Sequence, residues 1–300
     1  MTVIFKQSIL LALFASHEAG KEILKVYQKD FDVEFKDDKS PLTEADTTAH
    51  TVIAKYLKTH PLSEKSILSS YPLLSEEGKE ISFEARKEWK RFWLVDPLDG
   101  TKEFVKKNGE FTVNIALIEN GQPIMGVIFI PVKGIFYFAA EGLGSFKLSS
   151  GNVLSHLENQ LKKNNLSEES INQLYQELLQ KSEKLPITSE LNKPVVIMGS
   201  RSHGSNKLDS YIEKLEKEYG AVDVVPAGSS LKFCYVAEGT ADVYPRFGPT
   251  MEWDTGAGHI IAKEAECSII DMENKLPLQY NKENLLNPFF FVLKSTIQHV

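Results

Sequence analysis

Residues 111–148 constrain the fold most strongly, because apolar side chains there change from helical spacing to an alternating pattern. Asn120 and Gly121 form a hairpin signal inside this stretch. Consecutive strands joined by such short turns pair as an antiparallel meander, so a doubly wound parallel sheet is not expected. The predicted strands are residues 111–118, 124–130, 134–140 and 145–148.

Helices are predicted on both sides of this meander. The second helix is expected to open with a capping box at residues 43–46 and to end at His60 and Pro61. Beyond residue 194, strands and helices alternate, so the chain as a whole is predicted to be α+β. Helices are predicted there over residues 208–219 and 254–266, and strands over residues 194–198, 222–225, 241–244, 268–270 and 289–293.

The N-terminal segment contains an apolar run at residues 9–15 that bears on location. The run is too short to span a membrane, although it resembles a weak signal-peptide core after Lys6. Apolar residues continue at helical spacing as far as Tyr27, with acidic residues between them. This pattern favours one amphipathic first helix, and we therefore expect a cytoplasmic protein.

Composition argues against some classes of function. The 300 residues carry a net charge of −7, which disfavours general nucleic-acid binding. A phosphorylated small molecule is still compatible, because bound cations can reverse the local charge. Cys234 and Cys267 form no CxxC pair, so buried free thiols in a reducing compartment are expected rather than a zinc site.

The six residues DPLDGT, which begin at Asp96, are the strongest chemical signal in the chain. They follow an apolar run that predicts a strand, and the proline between Asp96 and Asp99 blocks a helix. Gly100 frees the backbone, and Thr101 is placed to cap a new helix. Oxygen ligands beside a helix N-terminus suit a hard divalent cation and the phosphate that it bridges.

Further acidic residues stand at the ends of predicted elements, where they can converge without burying charge in a core. Clustered carboxylates repel one another unless cations compensate, so their convergence would imply a metal site. Taken alone, Glu77 is better explained as a solvated charge, and Asp254 is equally suited to capping a helix. The acidic residues in question are Asp46, Glu76, Glu77 and Asp254.

Four acidic motifs in this order resemble the signature of the inositol monophosphatase superfamily. They are TEAD at residues 43–46, SEE at 75–77, DPLDGT at 96–101 and WDTGAG at 253–258. The resemblance covers nearly the whole chain except residues 149–190. Within the superfamily, the chain is most similar to the bacterial 3′(2′),5′-bisphosphate nucleotidases of the CysQ type, on the motifs at residues 94–104, 108–116, 200–203, 228–234 and 244–250.

The resemblance implies a layered αβαβα sandwich of the sugar-phosphatase type, with the active site between two halves. It implies Mg²⁺-dependent, lithium-sensitive hydrolysis of the 3′-phosphate of adenosine 3′,5′-bisphosphate, and it is compatible with action on the sulfated parent nucleotide. An inositol or sugar phosphatase on the same scaffold is the alternative. A non-catalytic sensor of metal and nucleotide is disfavoured, since a sensor needs no residues that activate water.

The same resemblance implies roles for individual residues. Thr101 and Asp46 would orient and deprotonate the attacking water, because Thr101 alone is a poor base. Gly100 and Thr101 would hold the scissile phosphate through backbone N–H groups, and Glu77 would support a more weakly held ion. Two or three Mg²⁺ ions would be ligated, beside the substrate, by Glu76, Asp96, Asp99, Asp254 and the Leu98 carbonyl.

Substrate choice requires further groups, because a nucleoside bisphosphate has a second phosphate. Lys232 lies at a predicted helix start, which favours anions, and Arg246 would add a forked contact. His203 would border the sugar or base. From the residues alone, a surface ion pair explains Lys232 and Arg246 at least as well. The implied substrate-facing residues outside the metal site are His203, Gly228, Ser229, Ser230, Lys232 and Arg246.

We expect three segments in the chain. Residues 1–148 would form an N-terminal half with most metal ligands, and residues 191–300 a C-terminal half with the nucleotide-selecting groups. The polar residues 149–190 predict a helical insertion or linker. The expected partner is a small nucleoside bisphosphate, without nucleic acid or a transmembrane segment. Peripheral contact with the cytoplasmic face of the inner membrane and the oligomeric state are left open.

Overall fold

The computed structural model describes residues 3–29, 41–149, 151–163, 167–199 and 206–297. A 3-10 helix also lies at Ile67–Ser70. The α-helices in these ranges are α1 (Val3–Tyr27), α2 (Pro41–Thr59), α3 (Pro61–Glu64), α4 (Phe83–Arg86), α5 (Thr101–Val105), α6 (Gly151–Lys163), α7 (Glu168–Gln180), α8 (Asn206–Tyr219), α9 (Leu231–Glu238) and α10 (Glu252–Glu264).

The first sheet confirms the predicted meander. Its strands follow chain order, with β1 parallel to β2 and every later neighbour antiparallel. Asn120 and Gly121 have φ angles of 50° and 76°, as a tight hairpin turn requires. In the described residues this sheet consists of β1 (Leu73–Ser75), β2 (Arg91–Asp99), β3 (Thr112–Glu119), β4 (Gln122–Ile130), β5 (Ile135–Ala140), β6 (Gly144–Leu148) and β7 (Glu183–Leu185).

A second, mixed sheet follows in the C-terminal part of the chain, with strand order β11-β12-β10-β8-β9. Helices α9 and α10 lie between the two sheets, and α8 covers the outer face of the second. Together with α1 and α2 on the far face of the first sheet, they confirm the predicted layered α+β sandwich. The strands are β8 (Val195–Gly199), β9 (Val222–Pro226), β10 (Val243–Arg246), β11 (Ser268–Asp271) and β12 (Phe290–Leu293).

The predicted first helix forms as one element, and its second half is amphipathic, with Ala19 and Ile23 buried and Lys21 and Lys25 exposed. Its first half differs, because every residue from Ser8 to Ser16 is buried where α1 lies between α2, β4 and α7. A helical stretch that is buried all round belongs to a core, and this packing accounts for the apolar run. No helix among the described residues has the length and hydropathy needed to cross a membrane.

Residues 149–190, predicted as a polar insertion or linker, contain two helices and a strand. Helices α6 and α7 pack against α1, and the apolar side of α7 is buried, including Leu174 and Tyr175. Strand β7 then pairs with β6 at the edge of the first sheet. The segment therefore contributes to the apolar core between α1 and the first sheet. The division of the chain into three segments stays a proposal.

A close approach between α10 and β4 determines how near the helices of the middle layer lie to the first sheet. A Cβ atom on Gly126 of β4 would lie 2.6 Å from the Ala257 carbonyl oxygen of α10. Real Cβ atoms do not tolerate such a contact, so only glycine lets the helix backbone rest on this strand. The N-terminus of α10 is thereby held over the sheet, close to the end of β2.

Candidate active site

The first four residues of the DPLDGT motif lie within β2 rather than after it, which corrects the predicted end of this strand. Asp96 pairs with Asn114 and Asp99 pairs with Thr112 on β3. Two residues of β2, Pro97 and Leu98, therefore face a single residue of β3, as in a β-bulge. Proline is tolerated in a strand at such a position. The bulge bends β2 and presents both aspartates at one end of the sheet.

Gly100 and Thr101 also differ from the predicted helix start. Gly100 is the residue before α5 and has a φ of 92°, and Thr101 is the first helical residue. Thr101 is exposed and does not cap the helix. A Cβ atom on Gly100 would lie 3.0 Å from the Cβ atom of Ser229. Glycine thus allows the 228–230 turn to approach the end of β2.

Parallel pairing brings Glu76 beside Asp96. Ser75 of β1 pairs with Val95 of β2, and the Glu76 N–H extends this ladder by donating to the Val95 carbonyl at 3.1 Å. The carboxyl ends of parallel strands meet at one edge of a sheet, so the next residue of each strand is acidic at the same place. The local sequence SEE alone did not show this proximity.

Asp254 reaches the same edge from the opposite side, through α10. The helix begins at Glu252, two residues earlier than predicted, so Asp254 occupies its third position. Its Oδ2 atom accepts a hydrogen bond from the Met251 N–H at 2.9 Å. This bond caps the helix and orients the carboxylate.

Asp46 lies in the second turn of α2, because the helix begins at Pro41 instead of at the predicted capping box. Its side chain is only 5% exposed, and its Oδ1 atom has no hydrogen-bond partner among the described residues. Glu77 lies within hydrogen-bonding reach of this carboxyl. The predicted link between Asp46 and Thr101 stays a prediction.

Three of the predicted ligands, Glu76, Asp96 and Asp254, place carboxylate oxygens within 4.8 Å of one another. Burial and the charge of Asp99 raise the pKa of each of the three above its ordinary value, and that of Asp254 to about 7. Burial and the charges of Glu77 and Glu76 raise the pKa of Asp46 to about 8. These shifts have burial as their first cause and mutual repulsion of the carboxylates as their second.

This repulsion fits a site for divalent cations. Among the described residues, the charges that contribute most to the raised pKa of Asp46, Glu76 and Asp96 are all carboxylates. The Asp46 oxygen that has no partner in this part of the chain adds a further acceptor beside the cluster. Hard cations prefer such carboxylate oxygens, and their charge would relieve the repulsion. The residues present therefore fit the metal implied by the resemblance.

A polar cavity of about 160 Å³ is lined by Asp99, Asp254, Lys232 and Arg246. Burial chiefly lowers the pKa of Lys232 to about 8; Arg246 adds to this effect and the charge of Asp99 opposes it. The Lys232 Nζ atom donates to the carbonyls of Ala227 and Ser229 at 3.1 and 2.8 Å. Acidic and basic side chains thus line the same cavity.

The remaining predicted substrate residues line the same cavity or lie outside the described residues. Gly228, Ser229 and Ser230 form its wall, and the Gly228 N–H donates to Glu110 at 2.8 Å. Arg246 donates to the carbonyls of residues 248 and 249. Residues 200–203, with His203, lie outside the described residues.

Sequence reasoning missed two residues behind this cavity, Thr112 and Asn114. Both are buried in β3 opposite the aspartates of β2. The signal available was the interruption of an apolar strand by an amide and a hydroxyl, since buried polar groups in strands need partners. The sequence alone does not show which residues these partners are, because that depends on the register of β2 and β3.

Comparison with known proteins shows the family. A model of the inositol monophosphatase family matches residues 7–289. The 3′(2′),5′-bisphosphate nucleotidase CysQ of Shigella flexneri is 43% identical over 280 residues, which is 92% of this chain and 96% of that protein. The same-named protein of Escherichia coli K12 is 42% identical over the same shares.

Solved structures agree with the fold. CysQ from Bacteroides thetaiotaomicron, described as a bacterial member of the inositol monophosphatase family, is 42% identical, with a TM-score of 0.81 over 98% of this chain and 99% of that one. An inositol monophosphatase from Zymomonas mobilis, at 18% identity, gives a TM-score of 0.68 over 97% and 94% of the two chains. By the family model that spans residues 7–289 and by these relatives at 42–43% identity, this chain belongs to the inositol monophosphatase family.

Proposed function

We propose that this protein is a Mg²⁺-dependent phosphatase that removes the 3′-phosphate of adenosine 3′,5′-bisphosphate, yielding AMP and phosphate. One observation carries the proposal, namely that carboxylates of the acidic site and a buried lysine line the same cavity. A substrate with two phosphates would meet metal ions at the carboxylates and the ammonium group of the lysine. The relatives named CysQ, at 42–43% identity, share the proposed activity by name.

The acidic residues would hold the metal and the phosphate to be cleaved. Glu76, Asp96 and Asp254 supply the converging oxygens, and Asp99 lies beside them in the cavity wall. When bound, two cations lower the pKa of the attacking water and stabilise the leaving oxygen. We assign the Leu98 carbonyl as a further ligand, two ions as the minimum, and a weaker third ion to Glu77.

Proton transfer is assigned to Asp46 with Thr101. The Asp46 carboxyl is buried and its pKa is raised to about 8 by burial and by Glu77 and Glu76. Positive charge beside the cluster would lower this pKa and leave Oδ1 free to accept a proton. The backbone N–H groups of Gly100 and Thr101, at the start of α5, would position the phosphate.

Lys232 and Arg246 would hold the second phosphate. Lys232 is 4% exposed and keeps its ammonium group against two carbonyls of the 227–229 turn. An ammonium has three donors, so one stays available for an anion in the cavity. Arg246 lines the same cavity and would add a second charged contact. We assign both residues to the phosphate that is not cleaved.

The proposed function is tested by phosphate release from adenosine 3′,5′-bisphosphate with and without Mg²⁺. We expect turnover with Mg²⁺ and its loss in excess chelator, because the repelling carboxylates cannot hold an anionic phosphate without cations. Inositol monophosphate, which lacks a second phosphate, should be a much poorer substrate. A preference for inositol monophosphate would instead support the alternative function on the same scaffold.

Removing the charge of Lys232 should distinguish the site of the second phosphate from the site of the cleaved phosphate. Lys232→Met keeps the aliphatic stem, and we expect kcat/KM for adenosine 3′,5′-bisphosphate to fall about 10–100-fold, as for loss of a charged hydrogen bond of about 1.5–3 kcal/mol. Adenosine 3′-monophosphate, which has no 5′-phosphate, should be affected far less. Lys87→Met, at an exposed lysine that pairs with Glu84 and does not line this cavity, is the control. Equal losses on both substrates would assign Lys232 to structure alone.

A further inference from the structure

A chain of polar side chains runs through the wall of the cavity to Asp99. The Ser229 and Thr112 hydroxyl oxygens lie 2.8 Å apart, and Thr112 donates to Asn114 Oδ1 at 2.9 Å. The Asn114 amide donates to Ser230 Oγ at 3.0 Å. Ser230 Oγ in turn lies 2.9 Å from Asp99 Oδ2 and 2.9 Å from the Asp254 carbonyl oxygen. The chain thus ends on a predicted metal ligand.

The number of protons on each group determines which group donates in each of these hydrogen bonds. A hydroxyl has one proton, so Thr112, which donates to Asn114, must accept from Ser229. The Asn114 amide fills an acceptor position on Ser230, and the Ser230 proton is left for the two oxygens of Asp99 and Asp254. A reversed Asn114 amide would draw the Ser230 proton away from both. The orientation in which the Asn114 amide oxygen accepts from Thr112 is therefore the one that lets Ser230 donate to the carboxylate.

The register of the sheet explains why these residues occupy β3. Asn114 lies opposite Asp96, and Thr112 lies opposite Asp99 across the bulge. Thr112 is 0% and Asn114 is 1% exposed, in a strand whose other buried side chains are apolar. Buried polar groups are unfavourable unless they are hydrogen-bonded. Thr112 bonds to Ser229 and Asn114. Asn114 bonds to Thr112 and Ser230, so each of the two residues makes two hydrogen bonds.

We propose that Thr112 and Asn114 are positioning residues for the metal site. They orient the Ser230 hydroxyl, which holds the Asp99 carboxylate in one orientation towards Glu76, Asp96 and Asp254. Hydrogen-bonded partners of a metal-ligating carboxylate orient it and tune its affinity for the metal. This inference rests on the proposed function only in taking Mg²⁺ as the ion. Ser230 then acts through Asp99 and not through direct contact with substrate.

The test measures Mg²⁺ binding by calorimetric titration of Thr112→Val, which keeps the side-chain shape and removes the hydroxyl. We expect Mg²⁺ affinity to fall about 10–100-fold, with kcat reduced and KM for the nucleotide little changed at saturating Mg²⁺. Ser16→Ala removes a buried hydroxyl that is bonded within α1 and should leave Mg²⁺ affinity unchanged. Unchanged affinity in folded Thr112→Val would overturn the proposal.

A double variant distinguishes coupling from general damage. If Thr112 acts through Ser230, then Thr112→Val combined with Ser230→Ala should lose little more Mg²⁺ affinity than Ser230→Ala alone. Additive losses would overturn the proposal, even if Thr112→Val itself is poorly folded. If the wild-type protein binds Mg²⁺ but does not cleave adenosine 3′,5′-bisphosphate, the proposed function fails while this test still decides the positioning role.

Discussion

Asp96→Asn is expected to reduce turnover by roughly a thousandfold or more while making the metal-free protein more stable. Metal ions supply several kcal/mol of charge stabilisation in such reactions, and each 1.36 kcal/mol corresponds to tenfold in rate. Asp96 is 1% exposed, and burial and the charges of Asp99 and Glu76 hold its pKa well above the ordinary value. An uncharged amide of the same shape removes that repulsion and keeps Oδ1 as acceptor for the Leu98 N–H.

The measurement pairs steady-state rates with thermal unfolding in chelator. Asp242→Asn is the matched control, because Asp242 is equally buried but lies beside Lys294 and accepts from the Val196 N–H. We expect that variant to unfold at a lower temperature and to keep its activity per folded molecule. A lower unfolding temperature for Asp96→Asn, or near-normal turnover, would contradict the acidic cluster as a metal site.

The second large effect is a loss of stability of the metal-free protein as pH rises from about 4 to about 8. The pKa of Asp46 rises from 3.8 to about 8, and that of Asp254 from 3.8 to about 7. In this window the folded state binds more protons than the unfolded state, so the free energy of unfolding falls with increasing pH. At about 1.4 kcal/mol for each tenfold change in proton affinity, the loss amounts to several kcal/mol.

Mg²⁺ should reverse this loss, because a ligand that binds only the folded state stabilises it. Chemical unfolding at pH 5 and pH 8, with Mg²⁺ or chelator, measures both effects. Asp46→Asn should flatten the pH dependence in chelator, whereas Glu84→Gln, at an exposed glutamate, should leave it unchanged. Equal Mg²⁺ stabilisation at both pH values would contradict the shifts, because protons and cations would then not compete.

The meander shows how much of the fold the sequence predicts. Its turn residues and alternation are local properties, so β3 to β6 begin and end within two residues of the predicted bounds. The continuation of β2 through Pro97 was not predictable in this way. A proline excludes a helix but does not distinguish a bulged strand from a loop, and the pairing of Asp96 with Asn114 makes that distinction.

The candidate site likewise has one part that the sequence predicts and another that it does not. Motif order and spacing identified Glu76, Asp96, Asp99 and Asp254 as acidic residues of one family signature. Their convergence depends on β1 pairing with β2 and on α10 resting over Gly126. The proposed role of Thr112 and Asn114 was not predictable from the sequence, because neither residue carries charge and both fit an ordinary strand pattern.

By itself, the sequence determined the α+β class, the meander, the acidic signature and the family, because these follow from residue type, spacing and order along the chain. Only the tertiary structure decided which carboxylates share one site, that Lys232 contacts carbonyls instead of solvent, and that Ser230 contacts Asp99. Those properties depend on strand register and on distances between residues remote in sequence. Local propensity does not contain that information.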